Sequence, residues 1–156
     1  MKKLIRAIFI VLFFCLLCAC DLNVNNGIAS LHMTWTKRTA SGSHYWASIA
    51  SSSDGAKLAA VDSMGDIYTS ADSGAMWPQR TVSEIYSWAS IASSSDGVKL
   101  AAGDGSGEIY TSANSGATWT QRSETGSNDW ASIASSSDGA RLAAVDGMGY
   151  IYTSGN

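Results

Sequence analysis

The ten residues Trp46-Ala-Ser-Ile-Ala-Ser-Ser-Ser-Asp-Gly55 return unchanged at 88–97 and again at 130–139, a period of 42 residues. This feature restricts the fold more than any other. A repeat of that length builds small modules that share their apolar surface with neighbours, rather than one globular core. Aligned on the period, 46–70, 88–112 and 130–154 differ at six of twenty-five positions. The register also holds upstream: Trp35, Trp77 and Trp119 are 42 apart, as are Arg38, Arg80 and Arg122, so all six tryptophans occupy two positions of the repeat.

Within one unit the pattern is that of strands. Trp46 to Ser51 (strand A) is followed by a Ser53-Asp54-Gly55 turn and then by Lys57 to Val61 (strand B). Ser63-Met64-Gly65 breaks the chain before Asp66 to Ser70 (strand C), and Ala71 to Gly74 turns it into Ala75 to Thr81 (strand D). The connections leave no room for a crossover helix, so an antiparallel meander follows. Ala and Ser are weak strand formers, but their small side chains suit sheets that pack closely. A four-stranded meander repeated in this way is the blade of a β-propeller.

The chain is therefore expected to be all-β, a partial or three-bladed propeller of four-stranded antiparallel blades. It reads as strand D at 33–38, one blade at 46–81, a second at 88–123 and an incomplete third at 130–154. Three blades fall short of the roughly four to eight that close a ring. Self-association to complete the ring, a truncated piece of a longer propeller, and strained closure alone are the three outcomes that follow.

The turn before strand D adds a family resemblance. Ser70-Ala-Asp72-Ser-Gly74-Ala-Met-Trp77 and Ser112-Ala-Asn114-Ser-Gly116-Ala-Thr-Trp119 resemble the Asp-box, S-x-D-x-G-x-x-W, of BNR-type propellers, among them sialidase-like, sortilin-like and photosystem-assembly-factor-like proteins. Physically, Asp72 or Asn114 accepts from amides of its own turn. Gly74 and Gly116 take a backbone conformation closed to other residues. Sialidase-like chemistry would also need an arginine cluster, a tyrosine nucleophile paired with a glutamate, and an acid. The R-I-P stretch of that family is missing, and Arg38, Arg80 and Arg122 recur at one position of the repeat, which reads as scaffold, where each could pair with a nearby carboxylate.

The first twenty residues stand apart from the repeat. Lys2, Lys3 and Arg6 precede an apolar run, Ala7 to Ala19, too short for the roughly 20 residues of a spanning helix. Leu17-Cys18-Ala19-Cys20 resembles a bacterial lipobox, which implies a lipoprotein-type signal at 1–19, acylation of Cys20, a lipid anchor, and an exported chain of the bacterial cell envelope. An ordinary cleaved signal is the other reading. Residues 20–32 read as a polar tether. Beyond the leader there are seven Lys or Arg against thirteen Asp or Glu, a surface that argues against nucleic acid.

In a propeller the D–A connections and B–C turns share one face, and the A–B turns and Asp-boxes share the other. The D–A connections 40–45, 82–87 and 124–129 are equal in length but unlike in sequence, and the B–C turns vary at 63, 64 and 66 and their equivalents. That divergence marks this face for recognition, although drift of exposed loops yields the same pattern. His44, Tyr45, Glu84, Tyr86, Asp129 and Tyr150 are its candidate ligand-binding residues, suited to a carbohydrate or a polar peptide.

No cofactor or metal is expected. Asp62 and Asp66 bracket a turn shorter than a calcium loop, and Gly103 to Gly107 lacks dinucleotide-site spacing. The function expected is a noncatalytic binding or scaffolding module, with a nonfunctional fragment and a glycosidase-like enzyme completed by another chain as alternatives.

Overall fold

The protein is described by a computed structural model covering residues 21–25, 28–32, 34–80, 87–123, 126 and 128–155. It divides into two compact units, one up to Lys37 and one from Arg38 onward. The signal segment 1–19 and the lipidation residue Cys20 lie outside the described residues.

The first unit holds a two-stranded antiparallel hairpin of β1 (Asp21–Asn25) and β2 (Ile28–His32). This corrects the expectation of a polar tether. Asn25 pairs with Ile28, and in the sequence Asn-Gly stands between them, a short-range hairpin signal.

The second unit is three antiparallel meanders in a row. The first blade is β3 (Trp46–Ser51), β4 (Leu58–Asp62), β5 (Ile67–Ser70) and β6 (Gln79–Arg80), hydrogen-bonded in that order. The second is β7 (Trp88–Ser93), β8 (Leu100–Asp104), β9 (Ile109–Ser112) and β10 (Thr120–Arg122). Among the described residues the third has three strands, β11 (Trp130–Ser135), β12 (Leu142–Asp146) and β13 (Ile151–Thr153). The all-β, partial-propeller expectation holds. Strand D of the first blade, however, starts at Gln79 rather than at the Ala75 read from sequence. The Met76 amide donates to Asp72 Oδ1, so the turn consumes residues that would otherwise extend the ladder, and Pro78 has no N–H to give it.

The opening strand D expected at 33–38 is also corrected. Residues 34–39 form no strand, and Met33 lies outside the described residues. Among the described residues a D strand pairs with the C strand before it, β6 with β5 and β10 with β9.

What holds the row together is one tryptophan per junction. Each strand A opens with a β-bulge, between Trp46 and Ser48 in the first blade and at the equivalent places in the others. The Trp88 indole donates to Gly65 O of the first blade at 3.1 Å, and Trp130 donates to Gly107 O of the second at 3.0 Å. Both are 1% exposed, whereas Trp46 is 40% exposed. Under Trp88 lie Val61 and Ile67 of the first blade, joined by Ile91, Ala102 and Tyr110 of its own. A second repeat of bonds stitches the A strands: the Ile91 amide donates to Ser48 Oγ and the Ile133 amide to Ser90 Oγ.

Glycine sets how closely the A–B turns approach. A Cβ on Gly97 would lie 2.7 Å from Lys57 Cβ of the preceding blade, and one on Gly139 would lie 2.8 Å from Lys99 Cβ. Their counterpart Gly55, in the first blade, has nothing within 4 Å.

Replacing Trp88 by Ala should cost about 3–5 kcal/mol, the range for deleting a buried aromatic. Trp88→Phe, which keeps a ring but loses the donor to Gly65 O, should cost less, because only part of the volume and one hydrogen bond of about 1 kcal/mol go. Urea unfolding read by circular dichroism tests the order; equal midpoints for Trp88→Ala and wild type would show that the junction is not held there.

Candidate functional site

The D–A/B–C face starts from a backbone tie repeated in every blade. The residue before strand A accepts, through its carbonyl, the first amide of the B–C turn: Ser63 N to Tyr45 O at 3.0 Å, Gly105 N to Ser87 O at 2.8 Å, and Gly147 N to Asp129 O at 2.7 Å. D–A connections and B–C turns therefore meet at one end of each blade. Beneath each tie sits a buried aspartate, Asp62, Asp104 or Asp146. Asp62 Oδ1 accepts from the Met64 and Asp66 amides, and Asp146 Oδ1 from Met148 and Tyr150. This is the turn-clamping use of a carboxylate.

The second oxygen is where the blades differ. Asp62 Oδ2 meets His44 Nδ1 at 3.1 Å, Asp104 Oδ2 accepts from Ser106 Oγ, and Asp146 Oδ2 accepts from the Tyr152 hydroxyl. Hydrogen bonding from the Tyr150 amide, foremost, holds the Asp146 carboxyl below its ordinary range. Burial, then Asp146, pushes the Tyr152 phenol up.

Of the sequence candidates, His44 and Tyr45 sit together on the first blade, and Asp129 and Tyr150 on the third. Glu84 and Tyr86 lie outside the described residues. Tyr45 is 74% and Tyr150 62% exposed, each with a methionine, Met64 or Met148, exposed on the B–C turn of its blade. Asp129 lies between two B–C turns: its Oδ2 is 2.8 Å from the Cβ position of Gly147, and its Oδ1 is 3.7 Å from that of Gly105.

Sequence reasoning missed the surroundings of His44. Its ring centroid is 4.9 Å from that of Trp46 and 4.7 Å from that of Tyr68, with Trp46 and Tyr68 edge to face at 5.2 Å. Trp46, Tyr68 and Asp62 recur in every unit, so divergence between copies could not single them out. His44, Asp62 and Asp66 also offer donor atoms within 4.8 Å of one another. Asp66 is held by Gln79 Nε2, and Asp104 and Asp146 do the same turn work without a histidine, so the geometry is accounted for by the clamp.

The opposite end is built from turns of one design. Ser52 Oγ donates to Asp54 Oδ1, which also accepts the Ala56 amide; Ser94 with Asp96 and Ser136 with Asp138 repeat it. Ser70 Oγ donates to Asp72 Oδ1 and accepts the Gly74 amide, while Gly74 has φ 82° and Ser73 φ 56°. Ser112, Asn114 and Gly116 match them. Among the repeated arginines, Arg80 Nε donates to Thr69 Oγ1 and Arg122 Nε to Thr111 Oγ1, both at 2.8 Å.

A groove of about 1020 Å³ opens between the second and third blades, lined by Leu100, Ile109, Trp130, Leu142 and Tyr152 among others. None of the four described candidates lines it. No helix among the described residues is long and apolar enough to cross a membrane.

No protein-family model and no curated protein matches the chain. Solved β-propellers do. The chain resembles YCF48 bound to D1 peptide, with 15% identity and a TM-score of 0.60 over 70% of this chain and 37% of that one. It also resembles YCF48 from Cyanidioschyzon merolae (16%, 0.59, 70% and 34%). An ancestral GH74 enzyme matches at 18% and 0.55, over 70% of this chain and 17% of its own. The chain thus spans about a third of the YCF48 chains, and its repeating units are β-propeller blades.

The carboxyls of Asp54, Asp96 and Asp138 are held below their ordinary value of 3.8, foremost by the serine hydroxyl beside each. A carboxylate whose value is lowered by folding adds stability above its unfolded value and loses it as pH falls through the folded one. The urea midpoint should therefore be insensitive to these groups above about pH 5 and drop below about pH 4. Asp54→Asn, Asp96→Asn and Asp138→Asn together should flatten that acid limb. An unchanged limb would assign it to other carboxylates.

Proposed function

We propose that this chain is a noncatalytic binding or scaffolding module of the bacterial cell envelope, exported and held at a membrane surface through acylated Cys20. In this reading the Ser70 to Trp77 and Ser112 to Trp119 turns are Asp-boxes of the BNR type, serving as structural clamps. Tyr45 and Tyr150, with His44 and Asp129, bind an extended, polar protein segment laid across the D–A/B–C face. Carbohydrate is the alternative ligand for the same groups.

The observation that carries the reading is the division of labour between the two ends. The A–B and Asp-box end repeats one hydrogen-bond design, while the other end keeps a common backbone tie and varies what it displays. Exposed tyrosines on a rigid turn give large contact area at low entropic cost. A peptide-bound propeller among the similar structures supports a protein ligand. His44, whose sole hydrogen-bond partner among the described residues is Asp62, is engaged in a turn rather than set beside a nucleophile.

Isothermal titration against a panel of extended peptides and oligosaccharides tests this. Tyr45→Ala and Tyr150→Ala should each weaken binding about tenfold, equivalent to about 1.4 kcal/mol, with unchanged unfolding midpoints. Binding that is indifferent to both substitutions would move the site elsewhere, and no binding across the panel would remove the reading. Mass spectrometry of the membrane fraction should find a diacylglyceryl-modified Cys20; an unmodified Cys20 there would remove the anchor.

A further inference from the structure

We propose that the residue two places before strand A, His44 in the first blade and Asn128 in the third, selects the partner of the buried turn-clamping aspartate and so positions the D–A and B–C side chains as one display. The claim rests on two blades that share a turn and differ in what the turn delivers. Gly42 N donates to Thr39 O at 3.1 Å and Gly126 N to Ser123 O at 3.3 Å, with φ 79° and 70° at the two glycines, a conformation that favours glycine. Each turn folds over the residue two places on: a Cβ on Gly42 would lie 3.1 Å from His44 Nε2, and one on Gly126 would lie 3.8 Å from Asn128 Nδ2. The middle copy has Glu84 where these two have glycine, so Gly42-Ser-His44 and Gly126-Ser-Asn128 are one device used twice.

In the first blade the imidazole reaches the carboxylate itself, His44 Nδ1 to Asp62 Oδ2 at 3.1 Å. An ionised carboxylate only accepts, so Nδ1 carries the proton and donates. The ring packs on that of Tyr68, 4.7 Å between centroids, and the described partners of Asp62 are His44 and the Met64 and Asp66 amides, with no bond from the Tyr68 hydroxyl. Tyr152 is the same residue of the repeat in the third blade. There the phenol takes the carboxylate, donating to Asp146 Oδ2 at 3.1 Å, and it lies 3.3 Å from Asn128 Oδ1. The longer imidazole thus keeps the phenol off the buried oxygen, whereas the shorter amide stops at the phenol and leaves the oxygen to it.

The contact reaches the surface in both directions. The other oxygen of the same carboxylate clamps the turn that carries Met64 in one blade, and Met148 and Tyr150 in the other. The residue after 44 or 128 is exposed, Tyr45 or Asp129, and its carbonyl takes the Ser63 or Gly147 amide. His44 and Asn128 therefore stand between the two segments that vary from copy to copy, as positioning residues. Their part in recognition rests on the binding reading above; the exchange of carboxylate partners does not.

Reciprocal substitution tests the exchange without a ligand, so its failure is distinct from failure of the binding reading. The full chain in detergent is labelled with carbon-13 at tyrosine Cζ, and the Tyr68 and Tyr152 lines are identified through Tyr68→Phe and Tyr152→Phe. His44→Asn should release Asp62 to the Tyr68 hydroxyl and move the Tyr68 line downfield toward that of Tyr152, because a phenol donating to a carboxylate gains charge on its oxygen. Asn128→His, the second variant, should move the Tyr152 line the opposite way. In urea unfolding, Tyr68→Phe should lower the midpoint more in the His44→Asn background than in wild type, and Tyr152→Phe less in the Asn128→His background. Tyrosine lines that stay in place in both variants, or midpoint changes on Tyr→Phe that ignore residues 44 and 128, would overturn the proposal.

Discussion

The structure depends on a tryptophan that leaves its own sheet. A four-stranded blade is too thin to bury two faces, so each must take its cover from the next. The indole at the start of strand A supplies that cover, with an apolar ring over Val61 and Ile67 and an N–H that satisfies the carbonyl of a B–C turn. One side chain thereby couples hydrophobic burial to a directional bond, which sets the angle between blades as well as their affinity. The small residues follow from it. Buried alanines in β4, β8 and β12, and glycine where A–B turns touch, let backbones approach closely enough for the indole to reach across.

Because that contact is between consecutive units, stability is local and the outer ends of the row are different from its middle. Identical residues have opposite surroundings according to blade: Ile91 and Ile133 are buried while Ile49 is exposed, and Ile67 is buried while Ile151 is exposed. The D–A/B–C face shares this asymmetry, since Gly65 O and Gly107 O accept the junction indoles. Its turns are otherwise clamped inside each blade by Asp62, Asp104 or Asp146 and by the backbone tie to the D–A connection.

Much of the fold was legible because the repeat supplies its own alignment. Strands A, B and C, the antiparallel order and the division into two ends all follow from period, turn residues and loop length. The misses have specific causes. The β1–β2 hairpin was signalled by Asn26-Gly27, but the absence of the 42-residue pattern there led to a tether reading. Strand D at 33–38 was inferred from alignment alone, whereas a strand requires a partner ladder. At the site, exposed tyrosines on divergent turns could be found by comparing copies, but the aromatic contacts of His44 could not.

The sequence by itself determined the module: a 42-residue period, four short strands, and turn chemistry in which Asp, Ser and Gly satisfy the backbone within a few residues. These are local interactions, and locality is what a linear pattern records. Only the tertiary structure decided which copies of Trp, Ile and Gly are buried, which partner each Asp62-type carboxylate takes, and where a groove opens. Those outcomes depend on the neighbour across a junction, and identical residues have different neighbours.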